Sequence, residues 1–427
     1  MFSTVARRQR RAVVAVALSL VLLGAGPASA QPPSASLSTF EEVWQTVKDH
    51  FYDPKLGGID WRAIREKYRE QAALAASGEQ LAGAINRMLL ELHASHTRYY
   101  TRQEPAFYQL LGGVFRSSPA WRKFKKQFPG EELSYTEIGV FTSKEETGTL
   151  VTAVLDDSPA RKAGLQVGDV IVAVDGEPGF EPIDSFKGKV AKPVVLSVRR
   201  TGKIAKLTVV PKNYDPATMF LDAMRDSAEL IEQDGKTIGY IHVWSYAGEQ
   251  YQQLLKKELF SGKLQRADAL ILDLRNGWGG ASPEYLNIFT AQQPALTIQS
   301  RDGKPANLTE LWKKPVVLLV NEQTRSGKEI LAYGFKKYAI GPVIGTRTAG
   351  AVLAGSPFLL KDGSLLYLAV ANVWVDGERL EGTGVTPDIE VPPDFERGDL
   401  QKQKAIEVLL GKLATAGPAG GSYNLGQ

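Results

Sequence analysis

The chain has no cysteine among its 427 residues. That absence excludes disulfides, thiol nucleophiles and thiolate metal sites together, and leaves packing to hold the fold. Histidine is scarce: His50, His93, His96 and His242 are the full set, with no HExxH spacing. Neither a zinc centre nor any cofactor is therefore expected. The apolar run from Ala12 to Gly26 holds only 15 residues, short of the roughly 20 that a membrane-spanning helix needs. Beyond residue 30 there is no basic run with interleaved aromatics, so nucleic acid is not an expected partner. Internal repeats and GxSxG are absent too. Catalysis, if present, must use hydroxyls, carboxylates and one of the four histidines.

What is there begins with an export signal. Arg7, Arg8, Arg10 and Arg11 precede the apolar run, and Ala28-Ser29-Ala30 follow it. Cleavage is expected after Ala30, giving a periplasmic or secreted chain that begins at Gln31 and meets the membrane only if the signal is kept. Of 51 basic and 47 acidic residues, those four arginines are the only charges in the first 30, so the mature chain balances at 47 of each.

Residues 32–38, PPSASLS, read as a linker. Ser38 and Glu41 read as a capping box that opens a helix, with Phe40, Val43, Trp44, Val47 and Phe51 on one face. Two further helical stretches complete a layer that ends near residue 94. From about 130 to 213 the texture changes to short alternating strands, broken by one short helix with Ser158 as N-cap, Pro159 at its first position and Gly164 beyond its end. This stretch resembles a PDZ domain. The resemblance implies that the amides around Ile138, Gly139 and Val140 bind a peptide's terminal carboxylate while the peptide adds to a sheet edge.

From residue 236 onward, apolar strands alternate with helices, one expected through PEYLNIFTA and one from about Gly327, so the fold class is α/β with both sheet faces covered. The domains expected are residues 1–30 (signal), 31–117 (helical), 118–214 (PDZ-like), 215–396 (α/β core) and 397–427 (C-terminal helix and tail).

Four stretches carry candidate chemistry. In VNEQTRSGKEI, Ser326 lies where a strand passes into a helix, with the amide of Gly327 at the helix N-terminus. That suits a nucleophile beside half of an oxyanion hole, although serine is also a common N-cap. DLRNGWGG brings Gly279 and Gly280, which let backbone approach a ligand closely and offer a second oxyanion donor, or form a plain tight turn. HASHTRYY contains Ser95 and His96, and LEGTGVTPD contains Glu381. Each of these two also passes for structure when taken alone.

Together and in this order, the four stretches resemble the tail-specific, or C-terminal processing, serine proteases, which have a crotonase-like (ClpP/crotonase) α/β core, an inserted PDZ domain and an N-terminal helical layer. The processing proteases proper carry a lysine base about 25 residues after the serine. Here the matching stretch is TRTAGAV, with Ala351 in the lysine's place. Lys328 is expected to leave the turn in another direction from Ser326 and to matter far less. The branch typified by the tricorn core protease uses a Ser-His-Ser-Glu tetrad, matched by Ser95, His96, Ser326 and Glu381. That resemblance implies an exported endopeptidase acting on proteins or peptides through an acyl-enzyme at Ser326. His96 would be the base, with a pKa near 7, and Ser95 and Glu381 would orient it. Arg325 is bulky where small residues are common, and would narrow the site or bind an acidic group. Two other classes stay open, a peptide-binding protein that has lost turnover and a crotonase-like acyl-CoA enzyme; the filled tetrad opposes the first and the export signal the second.

Overall fold

A computed structural model describes residues 33–415 except 291–296, 300, 302–304, 308 and 309. The signal segment and the last dozen residues of the tail lie outside the described residues.

The N-terminal layer consists of helices Pro33–His50, Trp61–Ala73 and Gly78–Leu90. The first helix starts earlier than the capping-box pattern predicts. Proline fits a first helical turn because its missing N–H has no partner there anyway, and Ser36 and Thr39 are buried, so 33–38 is helix and Ser38 lies inside it. Phe40, Val43, Val47 and Phe51 form the predicted buried face and pack with Ile85, Met88 and Leu89. The same cluster takes in Leu366, Leu368 and Ala369 from an antiparallel sheet of Arg98–Tyr100, Leu365–Ala371 and Ala354–Leu359. The helical layer is thereby fixed to the strand that follows His96.

The central sheet runs Glu229–Gln233, Lys236–His242, Ala269–Asp273, Val316–Val320, Val343–Gly345, Ile389–Glu390, parallel throughout except for the first pair. Its strands are apolar on both sides because both faces are covered. Leu270, Leu272, Leu318 and Val320 face one core with Leu255, Leu331 and Phe335. Ile271, Val317 and Leu319 face Ala405 and Leu409 of the C-terminal helix Leu400–Thr415. Residues Pro283–Ile288 form a 3-10 helix rather than the predicted α-helix.

The PDZ-like module is a sheet of Val140–Glu145, Gly148–Val154, Val170–Val174, Val194–Arg200 and Lys203–Val209 over its own core, which includes Ile138, Val151, Ile171, Phe186 and Leu196. Ser158 caps the short helix Pro159–Lys162 by accepting from Arg161 N–H at 3.1 Å. Helix Pro119–Gln127 packs on the other side, where Lys123 Nζ donates to Leu359 O at 2.6 Å. The module sits against the catalytic-side core through Phe141, which stacks on Trp244 at 5.9 Å, and Asp156, which accepts from Trp244 Nε1 at 2.9 Å.

Candidate active site

Two loops leave the carboxyl ends of adjacent parallel strands. One follows Ala269–Asp273 and the other follows Val316–Val320. That edge of an α/β sheet is where backbone groups remain free for ligands. The loop from Asp273 is firmly held. Asp273 is fully buried, accepts from Tyr240 Oη at 2.9 Å and pairs with Arg275, which also pairs with Asp399. Asn276 N–H donates to Asn321 Oδ1 at 3.1 Å, and Thr324 Oγ1 donates to Leu274 O at 3.1 Å, so the two loops are tied to each other.

At the end of the second loop, Ser326 has φ 58° and ψ −134°. A left-handed φ is costly for any residue with a Cβ and persists only where surrounding structure enforces it. Ser326 and Glu329 form a capping box at the start of helix Gly327–Lys337: Glu329 N–H donates to Ser326 O at 2.8 Å, and the Glu329 carboxyl accepts Ser326 N–H at 3.3 Å. Glu329 also accepts from Thr348, Gly350 and Ala351. The glycine loop lies directly against Ser326: a Cβ on Gly279 would fall 2.5 Å from Ser326 Cβ, and one on Gly327 would fall 2.4 Å from Ala281 N. Only glycine lets these backbones meet.

His96 also has a left-handed backbone, φ 54°. Its Nδ1 lies 2.8 Å from Ser95 Oγ, and Ser95 Oγ lies 2.9 Å from Glu381 Oε2. Glu381 accepts three backbone amides besides, Ser95 at 3.0 Å, Val352 at 2.7 Å and Leu353 at 3.1 Å. Amides can only donate, so the carboxyl serves as acceptor and the Ser95 hydroxyl gives its proton to it. The hydroxyl oxygen then accepts from Nδ1–H, which leaves Nε2 as the nitrogen with the free lone pair. Burial pushes the His96 pKa down to about 4; the Glu381 charge opposes this and the Arg325 charge adds to it. Desolvation thus places the pKa below the value near 7 expected from an ordinary imidazole.

One peptide unit joins the two halves. Ser326 N–H donates to Ala351 O at 2.8 Å, and the N–H of the next residue, Val352, donates to Glu381. No hydrogen bond links the imidazole to the Ser326 hydroxyl; such contacts are often long in unliganded enzymes. Arg325 donates to Gln323 Oε1 at 2.5 Å and lies 5.8 Å from the Trp278 ring.

A model of peptidase family S41 matches residues 237–391, a tricorn protease C1 domain matches 36–90 and a PDZ domain matches 150–200. Tricorn protease homolog 1 of Streptomyces coelicolor is 27% identical over 410 residues, covering 92% of this chain and 36% of the relative. The carboxyl-terminal-processing protease of a Synechocystis species is 26% identical over 435 residues, covering 96% of each. The crystal structure of the tricorn protease shares the fold, with a TM-score of 0.53 at 20% identity over 90% of this chain and 37% of that one. The chain spans about a third of the length of the two Streptomyces tricorn homologues it matches.

Residues 237–391 are similar to peptidase family S41, a family of serine-type peptidases.

The structure brings Ser95, His96 and Glu381 into hydrogen-bonded contact, and places Ser326 one peptide unit away from them. Ala351 accepts Ser326 N–H through its carbonyl and carries no side-chain nitrogen where a lysine would stand. Lys328 is no bystander. It is fully buried, and its Nζ donates to Asn276 O at 2.9 Å and Trp244 O at 3.3 Å. Burial lowers its pKa to about 7. The sequence offered no signal for this role, since a lysine in a helix's first turn is ordinarily solvated. Ile138, Gly139 and Val140 lie in the PDZ-like module, away from these groups and buried. Their amides already have a partner in Glu137, which the sequence reading passed over.

Proposed function

We propose that this protein is an exported serine endopeptidase that cleaves proteins or peptides through an acyl-enzyme at Ser326, on a crotonase-like core. The observation that carries the reading is the Nδ1–Ser95–Glu381 relay, which leaves His96 Nε2 as base, combined with a serine held at a left-handed φ of 58° against the glycine loop. The Ser326 Oγ adds to the scissile carbonyl carbon while His96 Nε2 takes its proton. The oxyanion rests on the Gly327 amide and an amide of the Gly279-Gly280 loop. Collapse of the tetrahedral adduct breaks the C–N bond, and the imidazolium returns the proton to the leaving amine. Water, deprotonated by the same nitrogen, then hydrolyses the ester. Ser95 and Glu381 fix the tautomer and stabilise the imidazolium. The PDZ-like module assists substrate engagement, and its docking on Trp244 supports that, because the Trp244 carbonyl also accepts from Trp278 and Lys328 beside the glycine loop.

The test is reaction with a fluorophosphonate. The wild-type protein is labelled at one residue, and peptide mapping places the label on Ser326. Ser326→Ala abolishes labelling. A folded wild-type protein that resists labelling would be a binding protein of the same fold.

Export has its own check. The charged start, short apolar run and Ala-Ser-Ala site predict that N-terminal sequencing of the exported protein begins at Gln31. A mature protein that still carries Met1 rules the cleavage site out.

A further inference from the structure

The segment that opens the PDZ-like sheet has a feature with no place in the catalytic scheme. The amides of Ile138, Gly139 and Val140 are those that the PDZ resemblance assigns to a peptide's terminal carboxylate, and a carboxyl group already occupies them. Glu137 Oε2 accepts Gly139 N–H at 2.5 Å and Val140 N–H at 3.3 Å, its Oε1 lies 3.4 Å from Val140 N, and the Ile138 amide bonds to the same group. The carbonyls of the loop are engaged as well: Ile138 O accepts from Ala160 N–H, and Gly139 O from Leu155 N–H, each at 2.9 Å.

The loop is buried together with its ligand. Glu137 is 2% exposed and Ile138 fully buried. Gly139 has φ 85°, and a Cβ placed on it would fall 2.4 Å from both Ser158 Cβ and Tyr214 Oη. The Tyr214 hydroxyl is itself buried without a hydrogen-bond partner, a free donor beside the loop. Consecutive amides converging in this way form a nest that attracts an anion. Leaving buried amides unpaired costs roughly 1–3 kcal/mol each, so the nest must hold something in the folded chain. A carboxyl attached to the loop has a far higher effective concentration than any peptide free in solution. Glu137 is held there despite a burial cost that pushes its pKa up to about 8.

We propose that Glu137 is a resident carboxyl ligand that closes this loop to the free C-termini of other chains, so that the PDZ-like module engages substrates without reading a terminal carboxylate. The proposal rests on the PDZ-like reading of the module and narrows it. Its consequence for the substrate class is direct: recognition falls on extended internal segments, and a blocked C-terminus costs the substrate nothing.

The experiment uses the full chain carrying Ser326→Ala, which prevents turnover, and a fluorescent decapeptide with an apolar last residue, prepared as free acid and as amide. Anisotropy gives Kd for each. The Ser326→Ala protein binds the two forms within about twofold. Adding Glu137→Gly empties the nest, and the free acid then binds at least tenfold tighter than the amide. Adding Glu137→Gln keeps an accepting oxygen in place and restores the lack of preference. If the glycine variant does not fold, Glu137→Ser replaces it under the same criteria. A tenfold preference for the free acid with Glu137 intact overturns the proposal, as does a folded glycine or serine variant that shows no preference. Fluorophosphonate labelling of Glu137 variants that retain Ser326 keeps the two questions apart: lost labelling in wild type as well strikes the peptidase reading, and leaves the acid-against-amide comparison standing.

Discussion

Replacing His96 with alanine lowers kcat/KM by a factor on the order of 10³ or more, because the Ser326 hydroxyl loses its base. Among the described residues, neither Ala351 nor Lys328 substitutes for it. Ala351 offers no side-chain nitrogen, and Lys328 Nζ is committed to two carbonyls in the interior. Glu381→Gln falls between wild type and His96→Ala. A glutamine can still accept through one oxygen, but its NH2 group faces amide or hydroxyl donors that the second carboxylate oxygen now satisfies. Combining Ser326→Ala with His96→Ala costs little beyond either alone, since the two act as one unit. The pH profile supplies a readout that a structural defect would not imitate. The base works when its proton is off, so kcat/KM rises as pH climbs through about 4, where burial and the Arg325 charge hold the imidazole, and is flat from this group by neutrality. A profile that rises instead through 6.5 shows a solvated imidazole and refutes the shielded geometry. An His96→Ala enzyme with near-full activity refutes the relay itself.

The sequence reading was strongest where short-range chemistry decides structure. Ser158 with Pro159 marked a helix start that forms as written, and the Phe40-to-Phe51 face is buried as its spacing required. It was weaker where partners are far apart in the chain. The antiparallel sheet that joins Arg98–Tyr100 to Leu365–Ala371 has no local signature, and the Ser95–Glu381 contact spans 286 positions. Those positions were legible only because the motifs resemble a known family; spacing alone would not have paired them. The direction of a side chain was least legible of all. Glu137 was not singled out in the sequence, yet it turns back onto the amides of the next three residues. Lys328 read as leaving the turn in another direction from Ser326, but nothing local shows that the glycine loop folds over that turn and buries it.

Lys328→Ala therefore has a large effect on stability, contrary to what the sequence suggests. The substitution leaves a cavity and unpairs the Asn276 and Trp244 carbonyls, so unfolding becomes easier by about 2–5 kcal/mol, read as a lower midpoint in denaturant. Lys328→Met separates packing from hydrogen bonding, because the space stays filled and the donor is lost. In that variant the loop from Asn276 to Gly280 is no longer pinned, and kcat falls by about tenfold or more with KM little changed, since misplaced oxyanion donors weaken the transition state more than the ground state. Proton linkage gives an independent signature. The lysine's pKa is about 7 in the folded protein and 10.5 in the unfolded chain. Between those values the unfolded state carries the extra proton, so the wild type gains stability as pH rises through this window, and loses it again as pH falls toward 7. The methionine variant lacks that slope, and the stability difference between the two proteins drifts in favour of wild type from pH 7 to 10. An unchanged midpoint for Lys328→Ala, or an unchanged kcat for Lys328→Met, removes the loop-pinning role. A Lys328→Met enzyme as dead as Ser326→Ala, alongside an active His96→Ala enzyme, would make lysine the base.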